Sequence, residues 1–395
     1  MLFAAQSVGT SHLVQSTRAG GEYGFSLTLL IVIACIAKYP AFRFGIDYVN
    51  ATGKSLLEYY LAQGKLVLTI FLVSLIVDMF VATAAVTLVS AGLLSAVMGF
   101  ELNSQYFAIF LLAVFASLLI LGGYRIFESI TKIFVLVFFS LSIIASILSW
   151  FKLSTITTDL FPSVFIEETT LLFMIAVAGW MPTSISASVY LSEWRAKKLA
   201  ISQKNDKRSS SFDFDLGYWG TAILALFFLS MGALLIYPSG LSTEQSAVGF
   251  ASLLFTMFTS SLGQWAYPVI AIAALAVMFS TSLSLMDACP RAGQRILERF
   301  SSVKYGYQKM IVIQLIGASG VLLFLMSSFI SLIDLATSLA FTTAPFIAFL
   351  NHRAMFRSDI KRANQPSEIL RIWSLVGFAL LSLFAALFIF IRFMK

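Results

Sequence analysis

The chain has 395 residues, of which 59% are hydrophobic and 11% are charged, and its formal net charge is +7 at neutral pH. Because soluble domains carry about a quarter charged residues, this composition excludes a soluble globular protein and indicates an all-α polytopic membrane protein. We expect a multi-pass protein of the plasma (inner) membrane, most simply a monomer, with the lipid bilayer as partner and no nucleic-acid partner.

Eleven segments are apolar over roughly the 20 residues that one membrane span requires. They lie at 1–20, 24–45, 65–90, 105–123, 132–151, 169–191, 217–237, 265–289, 310–328, 330–350 and 370–392. The first is predicted to break near Gly9 and the sixth at Pro182. A shorter and more polar segment at 245–260 is predicted to form a helix outside the membrane.

Basic residues concentrate in the loops after the sixth, eighth and tenth spans. The loops contain Arg195, Lys197, Lys198, Lys204, Lys207, Arg208, Arg291, Arg295, Arg299, Lys304, Lys309, Arg353, Arg357, Lys361, Arg362 and Arg371. Cytoplasmic loops are rich in Lys and Arg, so this pattern predicts a cytoplasmic N-terminus and an external C-terminus. Within the first of these loops, the serines at 209–211 are predicted to form a flexible linker.

The opening segment at 4–21 is rich in hydroxyl groups and glycine and contains one of the two histidines. Lipid cannot hydrogen-bond to free backbone amides, so a polar interruption at membrane depth lines a cavity or is buried in protein. A second interruption, Gly-Trp-Met-Pro-Thr-Ser, lies at 179–184. Because half-helix ends and free carbonyls hold solutes in secondary transporters, the two interruptions predict a transporter.

The two interruptions lie five spans apart, and so do the isolated acids Asp78 and Asp287. An odd offset reverses the orientation of the second unit, which predicts an inverted repeat of five plus five helices with an eleventh helix added. The predicted single transmembrane domain at 1–395 contains repeat one at about 1–151, repeat two at about 169–350 and the extra helix at about 370–392.

Several stretches resemble the Nramp divalent-metal transporters. Thr-Arg-Ala-Gly-Gly-Glu-Tyr-Gly-Phe at 17–25 resembles the end of the family's first helix, and Met181-Pro182 resembles its Met-Pro-His in helix six. Ile-Val-Asp at 76–78 resembles its Ala-Thr-Asp in helix three, and 125–128 resembles a pattern after helix four. The resemblance covers nearly the whole chain. It implies the LeuT-like fold, in which helices one and six unwind around the substrate.

The chain departs from the family at several metal-binding positions. Alignment of the first helix places Gly9 where relatives have the Asp of Asp-Pro-Gly-Asn, and His12 where they have the Asn. The His that follows the proline of helix six is Thr183, and the second acid of helix three is Val81. Met181 is kept. The resemblance therefore implies a divergent branch whose substrate is not simply that of its relatives.

His12 is a candidate metal ligand because imidazole is the commonest side-chain ligand of transition metals. The alternative is that it only hydrogen-bonds to the unwound backbone. The thioether of Met181 would favour Mn²⁺ or Fe²⁺, although methionine is also ordinary core packing. Main-chain carbonyls near Gly9 and at Ala178 are expected to complete the metal shell. Other polar groups expected near the site belong to Thr10, Ser11, Gln15, Thr183 and Ser184.

Asp78 lies within a predicted span, where a carboxylate is a functional candidate by default. We predict that it takes part in proton coupling or gating, with Arg18 as a candidate partner. The alternative is a structural ion pair with Arg18 or Lys38. Asp287 is predicted to be a gate or proton-path acid, and an ion pair with Arg291 is the alternative.

The leading hypothesis is a secondary active transporter of divalent cations such as Mn²⁺ or Fe²⁺, which works by alternating access with protons as a candidate coupling ion. The alternative is a related carrier for Mg²⁺ or for a small organic solute such as an amino acid. No enzymatic activity and no cofactor are expected, because the sequence has no Walker-type loop and no His-Glu-x-x-His motif. Only about two helical turns precede the first interruption, so a start further upstream is an alternative.

Overall fold

A computed structural model describes residues 3, 7–99, 103–122, 124–151, 159–164, 167–202, 207–240, 246–300 and 306–393. Within these ranges the side chains of 124–132, 202, 207–208 and 392–393 are not described. The motif at 125–128 therefore lies outside the described side chains. Every regular element of the described ranges is a helix.

The first half of the chain contains seven helices and two π-helical segments in its described part. They are the π-helical Ser11–Ser16, α1 (Thr17–Tyr23), α2 (Thr28–Thr52), α3 (Leu56–Ala62), α4 (Lys65–Ile76), the π-helical Val77–Ala82, α5 (Thr83–Met98), α6 (Ser104–Ile120) and α7 (Tyr124–Trp150). The second half follows with α8 (Glu168–Trp180), α9 (Ala187–Ser202), α10 (Lys207–Met231), the π-helical Gly232–Ile236, α11 (Ala247–Leu262), α12 (Ala266–Phe300), α13 (Tyr307–Phe324), α14 (Phe329–Met355) and α15 (Glu368–Phe393). Short 3₁₀ turns lie at Tyr237–Ser239 and Arg362–Asn364.

Eight helices of the described ranges are long and apolar enough to cross a membrane. They coincide with the second, third, fifth and seventh to eleventh predicted spans. The fourth and sixth predicted spans correspond to the shorter apolar helices α6 and α8. The prediction of an all-α polytopic membrane protein is confirmed.

Both predicted interruptions are present. Val8 and Gly9 are not helical, and the π-helical segment that begins at Ser11 follows almost directly. In the sixth predicted span, residues 181–186 separate α8 from α9 without regular structure. The Asp78 segment of the third span is also π-helical. Such π turns are frequent at functional sites.

Two segments between the predicted spans differ in how they match the sequence predictions. The helix predicted at 245–260 is present as α11, which begins at Ala247 and packs against α5 and α12. The prediction of a flexible linker at 209–211 is wrong, because these residues lie in the first turns of α10. Asn50 of α2 donates a hydrogen bond from Nδ2 to the hydroxyl oxygen of Ser210 at 2.9 Å. A polar partner on the neighbouring helix thus allows the serines to continue α10.

The helix that follows the first interruption crosses the end of α10 at two glycines. A Cβ on Gly20 would lie 2.0 Å from the carbonyl oxygen of Leu229, and one on Gly232 would lie 2.3 Å from that of Thr17. Small residues let membrane helices approach this closely. The two glycines therefore hold α1 close to the end of α10.

Candidate substrate-binding site

The two interrupted helices meet, and a cavity lies at their junction. The Ser11 hydroxyl is 3.2 Å from the carbonyl oxygen of Pro182. Thr281 of α12 donates its hydroxyl to the carbonyl oxygen of Val8 at 2.9 Å. The cavity has a volume of about 40 Å³. Because one water needs about 10–15 Å³ on this measure, the cavity has room for a few waters or a partly hydrated ion.

Oxygen atoms dominate the polar part of the cavity wall. Asp78 is the sole acidic residue among the described residues that line it. Hydroxyl groups from the two interruptions and from α12 make up most of the remaining polar lining. They belong to Ser7, Thr10, Ser11, Thr183, Ser184, Ser186 and Thr281.

The Asp78 carboxylate is held by a hydrogen bond and not by an ion pair. The Tyr190 hydroxyl donates to its Oδ2 at 2.9 Å, and the residue is 2% exposed. The alternative of a pair with Arg18 or Lys38 is not found: in the described part of the chain, no cationic group lies within ion-pair distance of Asp78. Its negative charge is therefore available to a cation in the cavity.

Three buried polar atoms of the cavity wall have no hydrogen-bond partner among the described residues. They are Ser7 Oγ, Thr10 Oγ1 and Trp180 Nε1. Buried polar groups are nearly always hydrogen-bonded, so these atoms indicate a polar occupant. An indole N–H can only donate, and water is the simplest acceptor for it beside a cation. The wall therefore suits a cation that keeps some of its water.

On one side of the cavity, Arg18 connects α1 to α14. Its Nη1 donates to Asp334 Oδ1 at 2.8 Å, and Gln15 Nε2 donates to the same oxygen at 3.0 Å. The Arg18 guanidinium also lies 4.6 Å from the ring centroid of Phe173 on α8. Arg18 and Gln15 thus share one network with Asp334, and none of the three lines the cavity.

On the other side, Tyr190 separates the cavity from a smaller one lined by Lys197 and Arg291. Asp287 forms an ion pair with Arg291 at 2.7 Å and accepts a hydrogen bond from Tyr307. This is the ion pair that was predicted as the alternative to a gate or proton-path role. Burial, and then the positive charge of Arg291, lower the pKa of Lys197. The ion pair lies within α12, and Tyr307 connects it to α13.

The model of the family described as natural resistance-associated macrophage protein-like (Nramp) matches residues 1–391. The chain belongs to the Nramp family. An uncharacterised protein of Pasteurella multocida is 28% identical to this Nramp member over 98% of the chain and 90% of its own length.

Solved structures share the fold of this Nramp member at low sequence identity. A mutant of the Eremococcus coleocola manganese transporter is 15% identical with a TM-score of 0.65, over 98% of this chain and 84% of that chain. MhsT in complex with L-phenylalanine is 14% identical with a TM-score of 0.65, over 99% of this chain and 97% of that one. The predicted LeuT-like fold is confirmed.

His12 of this Nramp member is turned away from the cavity. Its Nε2 lies 2.9 Å from the carbonyl oxygen of Thr221 on α10, and its Nδ1 lies 2.9 Å from the Ser11 hydroxyl. A carbonyl oxygen only accepts, so in the neutral ring Nε2 carries the proton and Nδ1 accepts from Ser11. The residue is 0% exposed. This geometry matches the backbone-bonding alternative for His12, because both ring nitrogens are already used.

Met181 and Ala178 also direct their predicted ligand atoms elsewhere. The Met181 sulfur accepts a hydrogen bond from the Ser16 hydroxyl at 3.6 Å, and the Ala178 carbonyl oxygen accepts one from Lys38 Nζ at 2.6 Å. Neither residue lines the cavity. In the described part of the chain, no three His, Cys, Asp or Glu side chains cluster as a metal site.

Gly9 does line the cavity, as do the predicted Ser11 and Thr183. A Cβ on Gly9 would lie 3.1 Å from the side chain of Thr281. An Asp at this position, as in the family motif, would therefore require Thr281 to move. Thr281 thus occupies space that the Asp of the family motif would need, and Gly9 leaves that space free.

We expect His12→Gln to lower stability without removing metal binding. Loss of two buried hydrogen bonds costs about 1–3 kcal/mol, which should lower the thermal midpoint measured in detergent. Metal-ion affinity measured by calorimetry should stay within about threefold, a difference below 1 kcal/mol. His352→Gln, at the half-buried second histidine, is the matched control. An unchanged midpoint with a tenfold loss of affinity would instead make His12 a ligand.

Proposed function

We propose that this Nramp member is a secondary transporter of a divalent metal cation, which it binds partly hydrated on oxygen atoms beside Asp78. The observation that carries the proposal is the cavity where the two interrupted helices meet. It combines one carboxylate with hydroxyls and an indole N–H that lack partners among the described residues. The sulfur and imidazole ligands of the sequence prediction lie outside its wall.

The donor set favours hard cations. Carboxylate, carbonyl and water oxygens suit Mg²⁺ and Mn²⁺, whereas thioether and thiolate donors select softer ions. Mg²⁺ keeps several waters and is often held through one or two carboxylates. We therefore propose that the substrates are Mn²⁺ and Mg²⁺. Mg²⁺ is the alternative cation named in the sequence analysis.

Cavity size argues against an organic solute. Pockets for organic ligands measure about 300–1,000 Å³, whereas this cavity holds about 40 Å³. L-phenylalanine, which the MhsT structure contains, is far larger than the space beside Asp78. An inorganic cation with its water is the occupant that this volume admits.

The closed contacts on both sides suggest how access would alternate. In the predicted orientation, the Arg18–Asp334 pair lies on the external side and the Arg295–Glu193 pair, at 2.7 Å, lies on the cytoplasmic side. Each pair joins different helices, so each must separate to open its side. We propose that these two pairs are the opposing gates, and that a proton and the metal compete for Asp78.

Flux in proteoliposomes tests the proposal. We expect saturable uptake of Mn²⁺ and Mg²⁺, and none of labelled L-phenylalanine, with and without a pH gradient. Cd²⁺, a softer ion, should inhibit the uptake of labelled Mn²⁺ no more strongly than the same concentration of unlabelled Mn²⁺ does. Phenylalanine uptake without metal uptake would contradict the proposal, as would strong preference for Cd²⁺.

A further inference from the structure

A buried lysine occupies the second interruption. Lys38 of α2 is 0% exposed, and it lies within a helix that is long and apolar enough to span a membrane. Its Nζ donates hydrogen bonds to the carbonyl oxygens of Ala178 at 2.6 Å, Gly179 at 2.7 Å and Thr183 at 3.4 Å. The ammonium therefore bonds to main chain from both sides of the break.

The carbonyls that hold Lys38 are free because α8 stops. The last carbonyls of a helix have no partner within the helix, and together they carry a partial negative charge. Trp180 ends α8, so Ala178 and Gly179 lie in its last turn. Among the described residues, no carboxylate lies within ion-pair distance of Lys38. Main-chain dipoles, with the Phe341 ring whose centroid lies 5.9 Å from Nζ, thus provide the described stabilisation of its charge.

This arrangement has the chemistry of a cation site. Unwound carbonyls and helix C-termini coordinate cations in transporters with broken helices. Here the cation is part of the chain. A free cation at the Ala178 carbonyl would lie close to the ammonium, so the two positive charges would repel each other and disfavour its binding there.

We propose that the Lys38 ammonium is a tethered cation that fills a carbonyl site between the halves of the sixth helix, and that its removal leaves a site for a free primary ammonium ion. The proposal does not depend on which substrate is carried. Lys38 is then also a specificity-determining residue. Its ammonium occupies the Ala178 carbonyl, so the cavity beside Asp78 is the site that remains for the substrate.

Chemical rescue of Lys38→Ala tests this directly. Alanine keeps Cβ, so propylammonium supplies the three carbons and the nitrogen that the variant lacks. We expect Lys38→Ala, purified in detergent near pH 7.5, to melt several degrees below the unmodified protein. Propylammonium chloride should restore the midpoint saturably, by an amount on the order of 5 °C. 1-Propanol, of similar shape but neutral, should not.

Two further variants separate charge from packing. Lys38→Met keeps an unbranched stem without charge, so it should be destabilised and should not respond to propylammonium. Lys309→Ala, at an exposed lysine of α13, should behave like the unmodified protein in all conditions. If Lys38→Ala is too unstable to purify, the monodisperse fraction extracted from membranes in each solute replaces the melting midpoint.

The proposal is overturned if propanol restores Lys38→Ala as well as propylammonium does, because space and not charge would then matter. It is also overturned if neither solute restores it, or if Lys38→Ala is as stable as the unmodified protein.

Discussion

Asp78→Asn should reduce Mn²⁺ and Mg²⁺ uptake by about 100-fold or more while leaving the protein folded. A unit charge about 4 Å from a divalent cation contributes several kcal/mol even at an effective dielectric constant near 20, and each 1.4 kcal/mol is a factor of ten in affinity. Asn has nearly the same shape and can still accept the Tyr190 hydrogen bond. The measurement is initial uptake in proteoliposomes, together with Mn²⁺ binding by calorimetry.

Asp359→Asn is the matched control for this substitution. Asp359 has a side chain that is 63% exposed, and it pairs with Arg357 near the end of α14. Its neutralisation should leave uptake unchanged. Should Asp78→Asn bind and carry Mn²⁺ like the unmodified protein, the metal site does not lie beside Asp78.

Gly20→Ala should severely destabilise the protein even though it adds one methyl group. The new Cβ would overlap the main chain of α10 and of the π-helical segment after it, at 2.0 Å from the Leu229 carbonyl oxygen and 2.7 Å from the Ala233 nitrogen. Main chain cannot rotate aside as a flexible side chain can, so α1 must move away. Overpacking typically costs about 1–3 kcal/mol and sometimes more, and we expect the upper end here. The fall in thermal midpoint and in monodisperse yield measures it.

Gly320→Ala distinguishes this clash from a general effect of replacing glycine in a membrane helix. A Cβ on Gly320, within α13, meets no atom within 4 Å. Alanine is the better helix former by about 1 kcal/mol, so this control should be neutral or stabilising. Equal stability of the two variants would show that α1 does not cross α10 as closely as described.

The positions of the helices and of both interruptions follow from the sequence because each has a strong local signal. A run of hydroxyl residues around Gly9 in one apolar segment, and the sequence Gly-Trp-Met-Pro-Thr-Ser at 179–184 in another, favour breaks at membrane depth. The relevant physics is local, namely length, hydropathy and the loss of backbone hydrogen bonds. The contact between the two interruptions also follows, once the resemblance supplies the fold.

The directions of the side chains at the site do not follow from the sequence. His12 is next to Ser11 in the chain, yet only Ser11 lines the cavity. A π-helical turn changes the angle between successive side chains, and the partner of His12 is the Thr221 carbonyl, which lies 209 positions away. Hydropathy contains no information on either effect.

The position of Lys38 in the sequence predicts that it has a partner but does not identify that partner. A lysine within an apolar span is as costly as Asp78, so its position alone marks it for a partner. The sequence suggested a carboxylate partner, whereas the structure provides carbonyls freed by the end of α8. Main-chain acceptors have no residue-type signature. The indole N–H of Trp180, which has no hydrogen-bond partner among the described residues, gives no signal for a similar reason, since an aromatic residue in a membrane span is typical of ordinary packing.

Location of a bound Mn²⁺ ion by anomalous diffraction tests the central claim most directly. We expect one peak in the cavity between the two interruptions, either about 2.1 Å from an Asp78 oxygen or separated from it by one water. It should lie away from His12 Nε2 and the Met181 sulfur. A peak coordinated by that nitrogen or that sulfur, or no peak at concentrations that saturate uptake, would contradict the account.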